Sequence, residues 1–202
     1  MSVVSSAAPS NPHRMGQALH LIDLEAYSRS PRWVGHFDAK QGSNRRAAAQ
    51  AANEHLVDYL ARHPQPITVS TSLVTRHTEK QLRGLGYKAG EARNLYAQAV
   101  NRAGLITCPG PSQAGAEADL RHVPILDHEL KGLLTVTYSI MAMNVLHGGF
   151  QGHFFIAFEH SGLVVYPHDD CGYGVFEGHD CAASQTFLAG VDAERFDLFL
   201  HR

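Results

Sequence analysis

Two apolar runs set four residues apart constrain this chain more than any other feature. Residues 153–158 and 163–166 flank Glu159-His160-Ser161-Gly162, the pattern of a β-hairpin whose glycine can take the positive φ a tight turn needs. If Phe158 faces Leu163, facing residue numbers sum to 321. Ala157 then meets Val164, Phe155 meets Tyr166, and His153 lies opposite His168. A slip of one residue would turn every side chain to the other face, so the register is a sharp expectation.

Other elements follow from periodicity. Asn44 or Ser43 suits an N-cap, and Ala49, Ala52, Leu56, Tyr59 and Leu60 recur at helical spacing up to Arg62, where His63-Pro64 closes the run. Residues 67–70 are β-rich. Segments 72–85 and 91–103 read as helices, with Gly104 as the stop. Residues 105–108 read as a strand, and Pro124 limits 122–126 to a sheet edge. Leu134, Val136, Tyr138, Ile140 and Ala142 alternate with Thr and Ser, the clearest period-two signal in the chain. Residues 173–176 and 195–200 are further strands. The run 18–27 fits either a short strand or a helical turn, and Trp33 sits in a loop-like segment that could pack on the helix at 44–62.

At 202 residues, 44% apolar and 18% charged, the chain can bury an ordinary core. Its longest apolar stretches are about a dozen residues, short of the ~20 that span a bilayer, so no membrane association is expected. Met1 to Arg14 lacks the pattern of a secretory signal. Three cysteines are too few for a disulfide scaffold, and a cytoplasmic setting is expected. Charge divides the chain. Residues 1–107 hold 13 Lys+Arg against 7 Asp+Glu, whereas 108–202 hold 4 against 12. The first half suits a polyanion, the second a basic protein partner.

The order helix (53–64), strand (67–70), helix (72–85), turn, helix (91–103), then strand, loop and strand (105–126) resembles a winged helix-turn-helix DNA-binding domain over residues 53–127. Residues 94–106 resemble a recognition helix passing into the first wing strand. The resemblance implies that Lys88, Glu91, Arg93, Asn94 and Gln98 stand near base edges in the major groove. The charges point the same way independently. Residues 74–102 carry Arg76, Lys80, Arg83, Lys88, Arg93 and Arg102 against Glu79 and Glu91, and Arg76, Lys80 and Arg83 share one helical face. Such a face can neutralise the phosphates of double-stranded DNA. It also fits a helical module used for protein contacts.

The second concentration of chemistry is His168-Asp169-Asp170-Cys171, followed by His179-Asp180-Cys181. Facing residues hold their Cβ atoms within about 5.5 Å, so His153 opposite His168, with Asp170 beyond, is a candidate site for a divalent transition metal such as zinc. Polar residues closing strands at a solvated sheet edge give the same pattern. Cys171 and Cys181 lie among acidic groups that should raise their pKa, which disfavours a thiol nucleophile.

These observations predict an α+β chain. A flexible leader (1–17) precedes a helical, winged-helix-like part (18–127) and a small, mainly antiparallel, acidic β-sheet part (128–202). The expected function is a DNA-binding regulatory protein whose C-terminal sheet binds a ligand, metal or partner. Two alternatives stand beside it. One is a metal-dependent hydrolase or toxin-like effector using the His/Asp cluster; the other is an inhibitor or immunity-type protein using the acidic surface.

Overall fold

The computed structural model describes residues 21–75, 88, 90, 104–106, 120–143 and 150–201. Nine strands are described: β1 (Trp33–Ala39), β2 (Ile67–Thr71), β3 (Val74–Thr75), β4 (Arg121–Ile125), β5 (Phe150–Gln151), β6 (Phe154–Phe158), β7 (Val164–His168), β8 (Gly172–Phe176) and β9 (Phe196–Leu200). Three α-helices join them: α1 (Arg45–Arg62), α2 (Leu130–Met143) and α3 (Cys181–Ala189). Seven strands form one sheet in the order β4-β2-β6-β7-β8-β1-β9, and β3 pairs with β5 separately. Every neighbouring pair is antiparallel.

This sheet overturns the expected succession of a helical, winged-helix-like part and then a sheet. Strands β1, β2 and β4 come from before residue 127, yet they flank β6, β7 and β8 in the same sheet. The largest local difference from the expected elements lies in α2. Its alternation of apolar and hydroxyl residues reads as a strand, but Leu133, Val136, Thr137, Ile140 and Met141 are buried at three- and four-residue steps. Both periods fit a segment this rich in apolar residues, and burial against the sheet decides between them. The hydroxyls that mimic a polar strand face bond back to the helix instead, Thr135 to the Lys131 carbonyl and Ser139 to the Thr135 carbonyl. Residues 74–75 are strand β3 where a helix was expected, and Leu105 and Ile106 form a bend. Residues 76–85 and 91–103 of the two expected helices lie outside the described residues.

Much else follows the residue pattern. Asn44 caps α1, its side chain accepting from the backbone N–H groups of Arg46 and Ala47. β4 with Pro124 is an edge strand. In the central hairpin Ala157 pairs with Val164 and Ile156 with Val165, the expected register.

The sheet has two unlike faces. Under the helices, Phe37, Val69, Ile156, Val165, Tyr173 and Val175 join Leu56, Tyr59, Leu133, Ile140 and Phe187 in the main core. The opposite face carries a smaller cluster of Ile22, Phe155, Ala157, Val164, Tyr166 and Phe176, against which Tyr27 and Trp33 pack. Trp33 therefore starts β1 and lies on the open face, its indole N–H donating to the Tyr166 hydroxyl at 3.2 Å, rather than on α1. No helix of the described residues is long and apolar enough to cross a membrane.

Candidate metal centre

On the open face, strand alternation in β1 separates Phe37, which is fully buried in the main core, from His36 and Asp38, which are not. His168 ends β7, and its Cα partner on β8 is Gly172. His36 is likewise paired with Gly174 across β8 and β1. Glycine in the middle strand is required, because a Cβ on Gly172 would collide with the Phe37 carbonyl and one on Gly174 with the Tyr166 ring. Side chains of β1 and β7 can therefore meet over a strand that offers none of its own at those rows.

The β7–β8 turn completes the group. Only Asp169, Asp170 and Cys171 lie between the paired His168 and Gly172, and Cys171 takes φ +62°, the left-handed position that ends a three-residue hairpin loop. A β-carbon there costs roughly 1–2 kcal/mol. The thiol offsets part of that by donating to the Met141 carbonyl at 3.3 Å, with the Arg45 carbonyl at 3.5 Å. The Asp170 carbonyl accepts from the Ala39 N–H at 3.0 Å, which ties the turn to β1 beside Asp38.

The result is a group of Asp38, His168 and Asp170 whose ligand atoms all lie within 4.8 Å of one another. His168 Nε2 stands 3.3 Å from Asp38 Oδ1, and His36 Nε2 stands 3.4 Å from Asp38 Oδ2. Among the described residues His168 Nε2 and Asp38 Oδ1 are shielded from solvent and form no hydrogen bond, and the same holds for His36 Nδ1. Burial, reinforced by His36, pulls the His168 pKa down to about 4, so its imidazole is neutral at pH 7. Burial also raises the Asp38 carboxyl, with His36 opposing and Asp170 adding to the rise. Each of the two is thus pushed toward its neutral form, chiefly by the loss of hydration.

Of the residues expected to bind metal, the fold brings His168 and Asp170 together and sends His153 elsewhere. The His153 ring shares a 2.6 Å hydrogen bond with the Tyr27 hydroxyl and lies parallel to Phe155. Cross-strand pairing between β6 and β7 stops at Ile156–Val165, so the His153–His168 juxtaposition does not form although the register that implied it does. Asp38 takes its place. Its signal in the sequence is the alternation of His36 and Asp38 with Gly35, Phe37 and Ala39 along β1. Cys171 and Cys181 both have raised thiol pKa values, the first chiefly by burial and the second by its bond to Glu177. Of the residues expected at DNA, Lys88 is exposed; Arg76, Lys80, Arg83, Arg93, Asn94 and Gln98 lie outside the described residues.

A His/Asp/Asp group of this kind can hold a metal ion. No family model, no curated protein and no solved structure matches this chain.

Proposed function

We propose that this protein binds one divalent transition metal, of the zinc class, through Asp38, His168 and Asp170, and uses it for hydrolytic chemistry. One observation carries the reading: a neutral imidazole nitrogen and a carboxylate oxygen, both withdrawn from water, stand 3.3 Å apart without bonding to each other. Two ligands of a tetrahedral zinc ion, each about 2.0–2.1 Å from it, stand about 3.3–3.4 Å apart. The pair therefore has the spacing of one edge of such a site. Asp170, exposed on the turn, supplies a third donor, and His36 holds the second oxygen of Asp38. Three protein donors leave a tetrahedral ion one position for water, the arrangement that supports hydrolysis.

Titration of the metal-free protein with zinc, followed by calorimetry, tests this. One equivalent should bind, and His168→Ala and Asp38→Ala should each reduce affinity by at least tenfold. Equal weak binding by wild type and both variants overturns the proposal.

The basic run at residues 74–102 supports a separate proposal, binding of duplex DNA. Fluorescence anisotropy should show affinity falling steeply with salt, and Lys80→Ala with Arg83→Ala should flatten that slope. Absence of binding at about 50 mM salt refutes it.

A further inference from the structure

In an antiparallel pair, hydrogen-bonded positions recur every second residue. The Phe158 N–H donates to the Leu163 carbonyl at 2.8 Å, so the bonded positions along β6 and β7 are 158 with 163, 156 with 165, and 154 with 167. Residue 167 is proline and has no N–H to donate. Pairing ends one step earlier, at Ile156–Val165, and at that point a cavity of about 220 Å³ opens. Tyr27, Ile140, Phe154, Tyr166, Pro167 and His168 line it. Ile140 reaches it from α2, and Tyr27 from the open face.

The walls are held in place before any ligand arrives. Tyr27 meets Tyr166 edge-on at 4.6 Å and Phe155 at 5.3 Å, while its hydroxyl is bonded to His153. Its lining is mostly apolar, with His168 and Asp169 among the polar residues that face it. His168 is shared with the candidate metal group. An apolar cavity of about 150 Å³ suffices for a benzene ring, so 220 Å³ accommodates one six-membered ring and a short polar head.

We infer that this cavity is the specificity pocket of the metal site, taking the aromatic ring of a small substrate whose hydrolysable carbonyl or acid group lies at the metal. The inference rests on the metal reading above. It names the substrate class as small aryl esters, amides or related acyl compounds, with Pro167 as the residue that creates the pocket.

The test uses the full chain loaded with zinc and two hydroxamates, which share a metal-binding head and differ in the ring. Benzohydroxamate should bind at least tenfold more tightly than acetohydroxamate, and Ile140→Phe, which fills the cavity, should erase that difference while zinc binding persists. Equal affinity of the two hydroxamates for the zinc-loaded wild type overturns the inference. Failure of zinc to bind is a separate result: it overturns the metal reading, and with it the assignment of the pocket to that site. In that event benzyl alcohol added to the metal-free protein, followed by tyrosine fluorescence and NMR, judges the ring site alone. Binding that Ile140→Phe abolishes supports a ring site, and no binding removes it.

Discussion

The polar clusters on the two faces of the central sheet are built differently. Beneath the helices, Asn53 accepts from the hydroxyls of Thr137 and Tyr173, each at 2.8 Å, and donates to the Leu134 carbonyl. That face holds a polar side chain at no cost in lost hydrogen bonds. On the open face, His36, Asp38 and His168 bring together three shielded polar atoms that form no hydrogen bond among the described residues. The first group ties α1 and α2 to Tyr173 of β8, and the second lies on β7 and β1, the strands to either side of β8. The Asn53 network shows that this fold can pair a polar group it buries. On that face the shielded His55 Nε2, which forms no hydrogen bond among the described residues, stands alone amid aromatic rings. A concentration of unpaired ligand atoms on the other side therefore points to an outside partner rather than to loose packing.

The contrast breaks most readily through stability. Phe187 is fully buried and its ring meets those of Phe37, His55, Tyr59 and Tyr173. Phe187→Ala should cost about 3–5 kcal/mol in urea unfolding. A loss of that size from His168→Ala in the absence of metal would make the open face as structural as the covered one.

The residue pattern disclosed local elements better than their assembly. Asn44 and the alanine stripe defined α1 because a capped, one-sided helix needs only neighbours in sequence. The 153–166 hairpin was legible for the same reason. The sheet order was not, since nothing in residues 33–39 says that they pair with both 172–176 and 196–200. Two of the three candidate ligands were legible and the third was not, along the same division. His168 and Asp170 share a turn and came together in the reading; Asp38 lies some 130 positions earlier, and only the sheet brings it near. His153 was misplaced by extending a correct register past Pro167, where a missing N–H stops the pairing. Helix α2 imitates a strand because Thr135, Thr137 and Ser139 supply a polar half, whereas Thr135 and Ser139 bond to carbonyls of their own helix and Thr137 to Asn53 Oδ1 and the Leu134 carbonyl.

A smaller effect sharpens the comparison through pH. His55 packs between Phe37 and Phe187 on the covered face. Burial lowers its pKa, with Arg62 adding to the fall and backbone contacts at Phe187 and Gly190 opposing it. In the unfolded chain the imidazole returns to about 6.5. Below that value the unfolded state takes up a proton that the folded state resists, so this stability is present above about pH 6.5 and declines as pH drops toward the folded pKa. One proton limits the slope to about 1.4 kcal/mol per pH unit. Urea melts from pH 7.5 to 5 should show the decline, and His55→Leu should flatten it. An unchanged slope in the variant would assign the acid sensitivity to other groups.

The smallest change in stability should come from the open face, and its sign is informative. Asp38→Asn keeps the side-chain shape and removes a half-buried charge that lies near the carboxylate of Asp170. With chelator present, the variant should match wild type within about 1 kcal/mol or exceed it, because an unrepaid desolvation cost disappears. Zinc should reverse that order. A ligand held only by the folded state stabilises it by RT ln(1 + [L]/Kd), about 2.7 kcal/mol at a hundredfold excess over Kd. Wild type should gain that increment and Asp38→Asn should gain little of it. Paired urea melts, with chelator and with zinc, read both terms on the same two proteins. If Asp38→Asn instead loses more than about 2 kcal/mol in chelator, the carboxylate is already serving the fold, and the two faces differ in polarity rather than in purpose.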